Sequence, residues 1–159
     1  MTRPSALSRE DFLARFGPVY EASPWVAEAV WPDPPDDLPG LAAVMAAVVD
    51  AAPRELQLAL IRAHPELASR AKMADASVKE QAGAGLDQCS PAEFEAFQRL
   101  NAAYNARFGF PFIFAVKGAT RADILAAFEA RLANDPATEF ATAIAQIHRI
   151  AGFRLADLF

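Results

Sequence analysis

Apolar residues recur along this chain at three- and four-residue spacing, in runs separated by proline, glycine and small polar residues. That pattern predicts amphipathic helices joined by short connections. Ser8-Arg9-Glu10-Asp11 opens the first, with Ser8 as N-cap and acids in the first turn. Phe12, Leu13 and Phe16 form its apolar stripe, and Gly17-Pro18 ends it. Ser23-Pro24 predicts a second start, with Ser23 as N-cap and Trp25, Val26, Ala29 and Val30 facing inward. The proline-rich Trp31 to Asp37 stretch cannot stay helical. Leu41 to Val49 is almost all apolar and predicts a core helix. The next helix begins at Pro53-Arg54-Glu55, presents Leu56, Leu60 and Ile61 on one face, and ends at His64, because a following proline disfavours helical geometry.

Residues Ala71 to Ala76 read as a connection, with Ser77 as the N-cap of a helix that ends near Gly83-Ala84-Gly85. Ser90-Pro91-Ala92-Glu93 combines an N-cap, a proline at the first helical position and a glutamate at the third. The helix it opens carries Phe94, Phe97, Leu100, Ala103 or Tyr104, and Phe108 as its stripe. Phe108 to Val116 breaks the rhythm: aromatic, β-branched and interrupted by Gly109 and Pro111, it predicts a buried extended segment. Thr120 restarts a helix through Leu132, Asn134-Asp135-Pro136 breaks it, and a long last helix runs from about Pro136 to Leu158, with Gly152 a weak point in its final turns. The expected architecture is all-α: a single-domain bundle of about seven to nine helices over residues 1–159, with one buried extended loop.

Composition narrows the class. With 159 residues and 53% hydrophobic content the chain can bury a substantial core. A net charge of −5 with scattered basic residues argues against nucleic-acid or anionic-membrane partners. No apolar run approaches the roughly 20 residues of a membrane span. Cys89 is the single cysteine, which excludes an internal disulfide framework and fits a reducing compartment. No secretory leader or targeting tail is visible, so a cytoplasmic protein is expected.

The chain holds two histidines, and the chemistry centres on His64. At a helix C-terminus the macrodipole favours the protonated ring, which would make it a proton donor. Its ordinary reading is a C-terminal cap or a half-buried surface histidine. Ser77 and Glu80 have the spacing of a capping box, a sufficient structural account of both; such a cap also holds a carboxylate rigidly beside outward-pointing N–H groups. Arg154, among apolar neighbours, either pairs with an acid of the bundle or reaches toward an anionic ligand. The backbone of Phe110 to Val116 has no helix to satisfy it, so core packing and ligand contact both suit it. Cys89 and His148 read as an inert thiol and a surface residue. Neither a metal-ligand cluster, a phosphate-binding glycine loop nor a nucleophile elbow occurs in the sequence. An enzyme with this sequence would work by side-chain acid–base chemistry without a cofactor.

Taken in order, Pro24-Trp25, His64-Pro65-Glu66-Leu67-Ala68, Ser77-x-x-Glu80-Gln81-x-x-Ala84-Gly85-Leu86-Asp87, Leu100-Asn101-x-x-Tyr104, Arg107-Phe108-Gly109-Phe110-Pro111-Phe112-Ile113 and Arg154-Leu155 resemble the OHCU decarboxylase family. OHCU is 2-oxo-4-hydroxy-4-carboxy-5-ureidoimidazoline, which these enzymes convert to (S)-allantoin at the end of urate breakdown. The resemblance runs from about Phe12 to Leu158, with a link between His64 and Ser77 that is short for the family. It implies an all-helical, cofactor-free carboxy-lyase, often a homodimer, that takes a small ureidoimidazoline and holds no metal. His64 matches the catalytic histidine and Glu80 the essential glutamate. Pro65, Ser77 and Gln81 match substrate-binding positions, as do Ile113, Phe114, Ala115, Val116 and Lys117, whose backbone would contact the substrate; Arg154 matches the pocket arginine. Two other readings compete with it: a non-catalytic helical interaction module, and a related cyclic ureide hydrolase.

Overall fold

A computed structural model describes residues 3–69 and 75–159. Among them are eight α-helices and no strand: α1 (Arg9–Phe16), α2 (Trp25–Val30), α3 (Leu38–Ala51), α4 (Arg54–Ala63), α5 (Asp75–Gly83), α6 (Pro91–Phe108), α7 (Arg121–Arg131) and α8 (Pro136–Leu158). The all-α expectation therefore holds, and short 3₁₀ turns fill some of the connections. The chain divides into two compact units, one formed by Met1–Ala63 with Ile147–Phe159, the other by His64–Gln146.

In the first unit the helix starts follow local chemistry. Ser8 accepts from the Asp11 N–H at 3.1 Å, and Asp37 accepts from the Gly40 N–H at 2.8 Å to begin α3. Ser23 does not cap α2; its hydroxyl donates to the Glu21 carbonyl at 2.8 Å, so the helix starts later, with Pro24 in the N-cap position. The apolar Leu41 to Val49 run is buried only along Leu41, Met45 and Val49, one residue per turn, while its alanines line the rest of the surface. Leu60 and Ile61 of α4 are buried as expected, but Leu56 is 40% exposed. Phe12, Phe16, Val26, Val30, Ile147, Ala151 and Leu155 complete this core.

The second unit is organised on α6. Its capping box is complete: Ser90 Oγ accepts from the Glu93 N–H at 3.1 Å and Glu93 accepts from the Ser90 N–H at 2.9 Å. Of the two candidates for the α6 stripe, Tyr104 is buried and Ala103 exposed. Gly109, at φ 77°, ends the helix in the left-handed conformation that glycine adopts without strain. Beyond it Phe110, Pro111, Phe112, Ile113, Ala115 and Val116 form a buried extended run without strand pairing, as expected for a loop of this composition. Phe112 stacks on Phe128 with ring centroids 3.9 Å apart and meets Tyr104 edge-on at 5.4 Å. A second capping box, Thr120 with Asp123, restarts the chain as α7.

Candidate active site

His64 follows the last residue of α4 and is 7% exposed. The proline after it ends the helix, so the imidazole lies at the helix C-terminus, as the sequence predicts. It is buried, and it carries further interactions, so the half-buried surface-histidine reading does not describe it.

Five residues of the link between His64 and Ser77, numbers 70–74, fall outside the described residues, and with them most of the predicted 71–76 connection. Past the link, α5 starts at Asp75, two residues before Ser77. Ser77 is therefore an interior helical residue rather than an N-cap, and the Ser77–Glu80 capping box is not formed. The three-residue spacing has a different use. Ser77, Glu80 and Gln81 lie on one side of α5, where Ser77 and Gln81 are buried and Glu80 is half-buried, while Val78 faces outward.

Gln81 ties that side to the chain after His64. Its Oε1 accepts from the Ala68 N–H at 3.0 Å and its Nε2 donates to the Glu66 carbonyl at 3.2 Å. The side chain that the resemblance implies to be substrate-binding thus also anchors the His64 loop to the helix bearing Glu80. Ala68 adopts φ 56°, the left-handed region that an L-residue with a Cβ occupies at a cost of about 1–2 kcal/mol. Such strain persists only where neighbouring contacts over-determine it.

The Ile113 to Lys117 segment is held by two side chains that the sequence did not single out. Arg131 donates through Nη1 to the Ile113 carbonyl and lies over the Phe112 ring, 4.3 Å from its centroid. Gln146 accepts from the Ala115 N–H at 2.9 Å. Arg131 is itself fixed by Glu139, which is fully buried and accepts from Arg131 Nε at 2.8 Å, Tyr104 OH at 2.6 Å and Asn134 Nδ2 at 2.9 Å. Burial, and after it the bond to Glu139, raises the Tyr104 pKa above its usual range, so the phenol stays a donor. Ile113, Ala115 and Val116 are buried, Phe114 is half-buried and Lys117 is exposed.

Arg154 belongs to the first unit, where the acid-pairing alternative is realised: its Nη2 lies 2.9 Å from Glu21 Oε2, and both side chains are buried. Its Nη1 also approaches the Pro18 and Val19 carbonyls at 3.4 Å. Glu21 therefore fixes the guanidinium in one orientation, a role no local signal in the sequence revealed. His148 is more than a surface residue. Its Nδ1 lies 2.8 Å from the hydroxyl of the buried Tyr20 and its Nε2 2.9 Å from Asp50. Cys89 agrees with its inert reading: burial, and after it the nearby Glu93 charge, raises the thiol pKa. Among the described residues no three His, Cys, Asp or Glu side chains gather as metal ligands, and no helix is long and apolar enough to cross a membrane.

The site thus belongs to an all-helical fold in which Gln81 of α5 ties down the chain after a buried histidine, on the helix side that also carries Ser77 and Glu80. The chain belongs to the OHCU decarboxylase family, whose model matches residues 5–156. It is 47% identical over 154 residues to the 2-oxo-4-hydroxy-4-carboxy-5-ureidoimidazoline decarboxylase of Haloferax volcanii, covering 96% of this chain and 92% of that one. A uric acid degradation bifunctional protein of Bacillus subtilis is 48% identical over 143 residues, which make up 89% of this chain and 29% of that protein. A crystal structure of (S)-allantoin synthase superposes with a TM-score of 0.81 at 33% identity, over 98% of this chain and 52% of that one. The same fold recurs, at 23% identity and a TM-score of 0.78, in a crystal structure of OHCU decarboxylase in the presence of (S)-allantoin, over 96% of this chain and 99% of that one.

Proposed function

We propose that this chain, a carboxy-lyase of the OHCU decarboxylase family, converts 2-oxo-4-hydroxy-4-carboxy-5-ureidoimidazoline to (S)-allantoin in urate degradation, with His64 and Glu80 as its acid–base pair. The observation that carries the pairing is the Gln81 bridge, which locks the loop after the buried His64 to the helix that presents Glu80.

The substrate has its own electron sink. When the C–CO2 bond breaks, the released pair moves toward the adjacent ring C=N bond, so the ring nitrogen gains charge and takes a proton. The 4-hydroxyl gives up its proton as C4 becomes a carbonyl, and the neighbouring carbon is protonated to complete allantoin. Two protein groups that exchange protons with the hydroxyl and the ring nitrogen suffice, each such transfer being worth about 10²–10⁴-fold. Delivery to one face fixes the S configuration. Substrate is held by Pro65, Ser77 and Gln81 and by the backbone of Ile113, Phe114, Ala115, Val116 and Lys117; Arg154, the pocket arginine by resemblance, is paired with Glu21. An arginine directed at a ring or ureido oxygen, where negative charge grows, accelerates the reaction more than one clamping the departing carboxylate, whose charge is leaving. The reading extends to cofactor-free turnover by a cytoplasmic homodimer, on the strength of the family resemblance and the single cysteine.

The test generates the unstable substrate in situ from urate with urate oxidase and hydroxyisourate hydrolase, and follows circular dichroism of the allantoin formed. A fast single-handed signal that survives chelation of metals and is lost in His64→Ala, with Tm nearly unchanged, is the expected result. Racemic allantoin at the uncatalysed rate would refute the activity. Near-normal turnover by His64→Ala would remove that residue from the mechanism.

A further inference from the structure

We propose that Asn101 is a positioning residue of this site, the central member of a carboxamide stripe on α6 that holds the chain after His64 in place. The proposal rests on the reading of His64 given above.

Gln98, Asn101 and Asn105 occupy positions i, i+3 and i+7 of α6 and so share one face. All three engage the same short segment. Gln98 Nε2 donates to the Ala68 carbonyl at 3.2 Å, Asn101 Nδ2 to the Leu67 carbonyl at 3.0 Å, and Asn105 Nδ2 to Glu66 Oε1 at 3.0 Å. With Gln81 on the Glu66 carbonyl and the Ala68 N–H, side-chain amides satisfy three consecutive carbonyls and one N–H of an irregular loop. That loop begins directly after His64 and contains Ala68 in its left-handed conformation.

Asn101 is the informative member. It is 1% exposed, and while its Nδ2 serves Leu67, its Oδ1 is buried with no hydrogen-bond partner among the described residues. A leucine of similar size would remove that unpaired acceptor but would also take the donor from the Leu67 carbonyl. The carboxamide thus sets one satisfied carbonyl against one unpaired oxygen. What it supplies is a fixed location for the Leu67 carbonyl, three residues from the imidazole. Carboxamides also suit a segment beside an ionising ring, because they orient backbone without adding a charge that would move its titration.

The experiment compares wild type, Asn101→Leu, Gln98→Met and His64→Ala by turnover, by Tm, and by titration of the histidine Cε1–H signals. The chain has only two histidines, so His64→Ala assigns both. Asn101→Leu is expected to lower kcat by about ten-fold or more with KM changed little, since small displacements of reacting groups cost rate steeply. Its Tm should fall only slightly, since an unpaired oxygen is removed as the Leu67 carbonyl loses its donor, and the His64 titration should move while that of His148 stays fixed. Gln98→Met, a milder change on the half-buried edge of the stripe, should move the same signal less and serves if the leucine variant does not fold. A wild-type kcat and wild-type His64 titration in either folded variant would overturn the proposal. Full turnover by His64→Ala together with a displaced His64 signal in Asn101→Leu would instead overturn the catalytic reading and leave the positioning role standing.

Discussion

Glu139→Gln isolates the charge of the most deeply buried acid in the molecule's second unit. The wild-type carboxylate is fully buried, and its three donors are Arg131, Tyr104 and Asn134. Glutamine keeps the shape and one acceptor oxygen, so Tyr104 OH and Arg131 Nε can still find a carbonyl. Two things change. The Arg131 guanidinium, 11% exposed, loses its counter-charge, and an NH2 group faces the Asn134 donor, which can turn its own amide to suit. Making a buried ion pair contributes little net stability, but removing one partner typically costs about 3–5 kcal/mol, because the survivor stays buried and uncompensated. The retained acceptor argues for the lower end, about 3 kcal/mol. For a chain of this length each kcal/mol lowers Tm by about 2–4 °C, giving an expected fall of about 6–12 °C. Urea unfolding followed by circular dichroism measures it, and the double variant Arg131→Met/Glu139→Leu should be more stable than the sum of its singles, because it leaves no buried charge uncompensated. A Glu139→Gln loss under about 1 kcal/mol, or a double variant as unstable as the sum of its singles, would refute the claim that charge compensation holds this network.

The N-terminus of α6 should be acid-sensitive. The Ser90 N–H, and after it Arg121, hold the Glu93 carboxyl below its ordinary pKa, so its contribution is present above the unfolded value of about 4.3 and fades as pH falls through the lower folded one. Glu93→Gln should therefore have a lower urea midpoint than wild type at pH 7, and the gap should narrow as pH falls below about 4.3; a gap that does not change with pH would count against the cap. Ala22 has φ 45° and an exposed side chain, so Ala22→Gly removes left-handed strain without losing packing. It should raise stability by about 0.5–1 kcal/mol once the extra freedom of the unfolded chain is counted, read as a higher Tm; a lower Tm would contradict the strain.

Much of the fold was legible because helix boundaries are chosen by neighbours in sequence. Ser8, Ser90 and Thr120 each meet an N–H three residues on, and Pro136 to Leu158 is bounded as predicted. Ser77 misled because S-x-x-E also arises when serine and glutamate merely share a helical side; only a helix already begun at Asp75 distinguishes the two. Leu56 fits its apolar stripe, yet periodicity states which residues share a face, not how far a neighbour covers it. The motifs marked His64, Glu80 and Gln81, but the partners that hold their loop lie 13 to 39 residues away in the chain, as with Gln81 on Ala68 and Asn105 on Glu66. Arg131 on Ile113, His148 between Tyr20 and Asp50, and Glu21 on Arg154 are likewise products of tertiary packing that no spacing rule reaches.

Two irregular segments of the second unit, residues 66–68 and 113–115, are anchored by different chemistry, and the difference has a physical logic. Residues 66–68 follow the imidazole expected to change charge during turnover, and their main chain is held by neutral carboxamides whose hydrogen bonds persist whatever the ring's protonation state. The Ile113 carbonyl is held by a cation, and that cation is kept by a carboxylate shut away from solvent, so salt and moderate pH changes act on it weakly. Both arrangements separate the location of the backbone from the titration of the groups proposed to act in catalysis. A loop tied down by exposed ion pairs would shift as those pairs were screened or protonated, and the site geometry would then vary with the conditions of the reaction it serves. Carboxamides on one segment and a sealed ion pair on the other avoid that coupling, at the stability cost of Asn101's unpaired oxygen and of two buried charges.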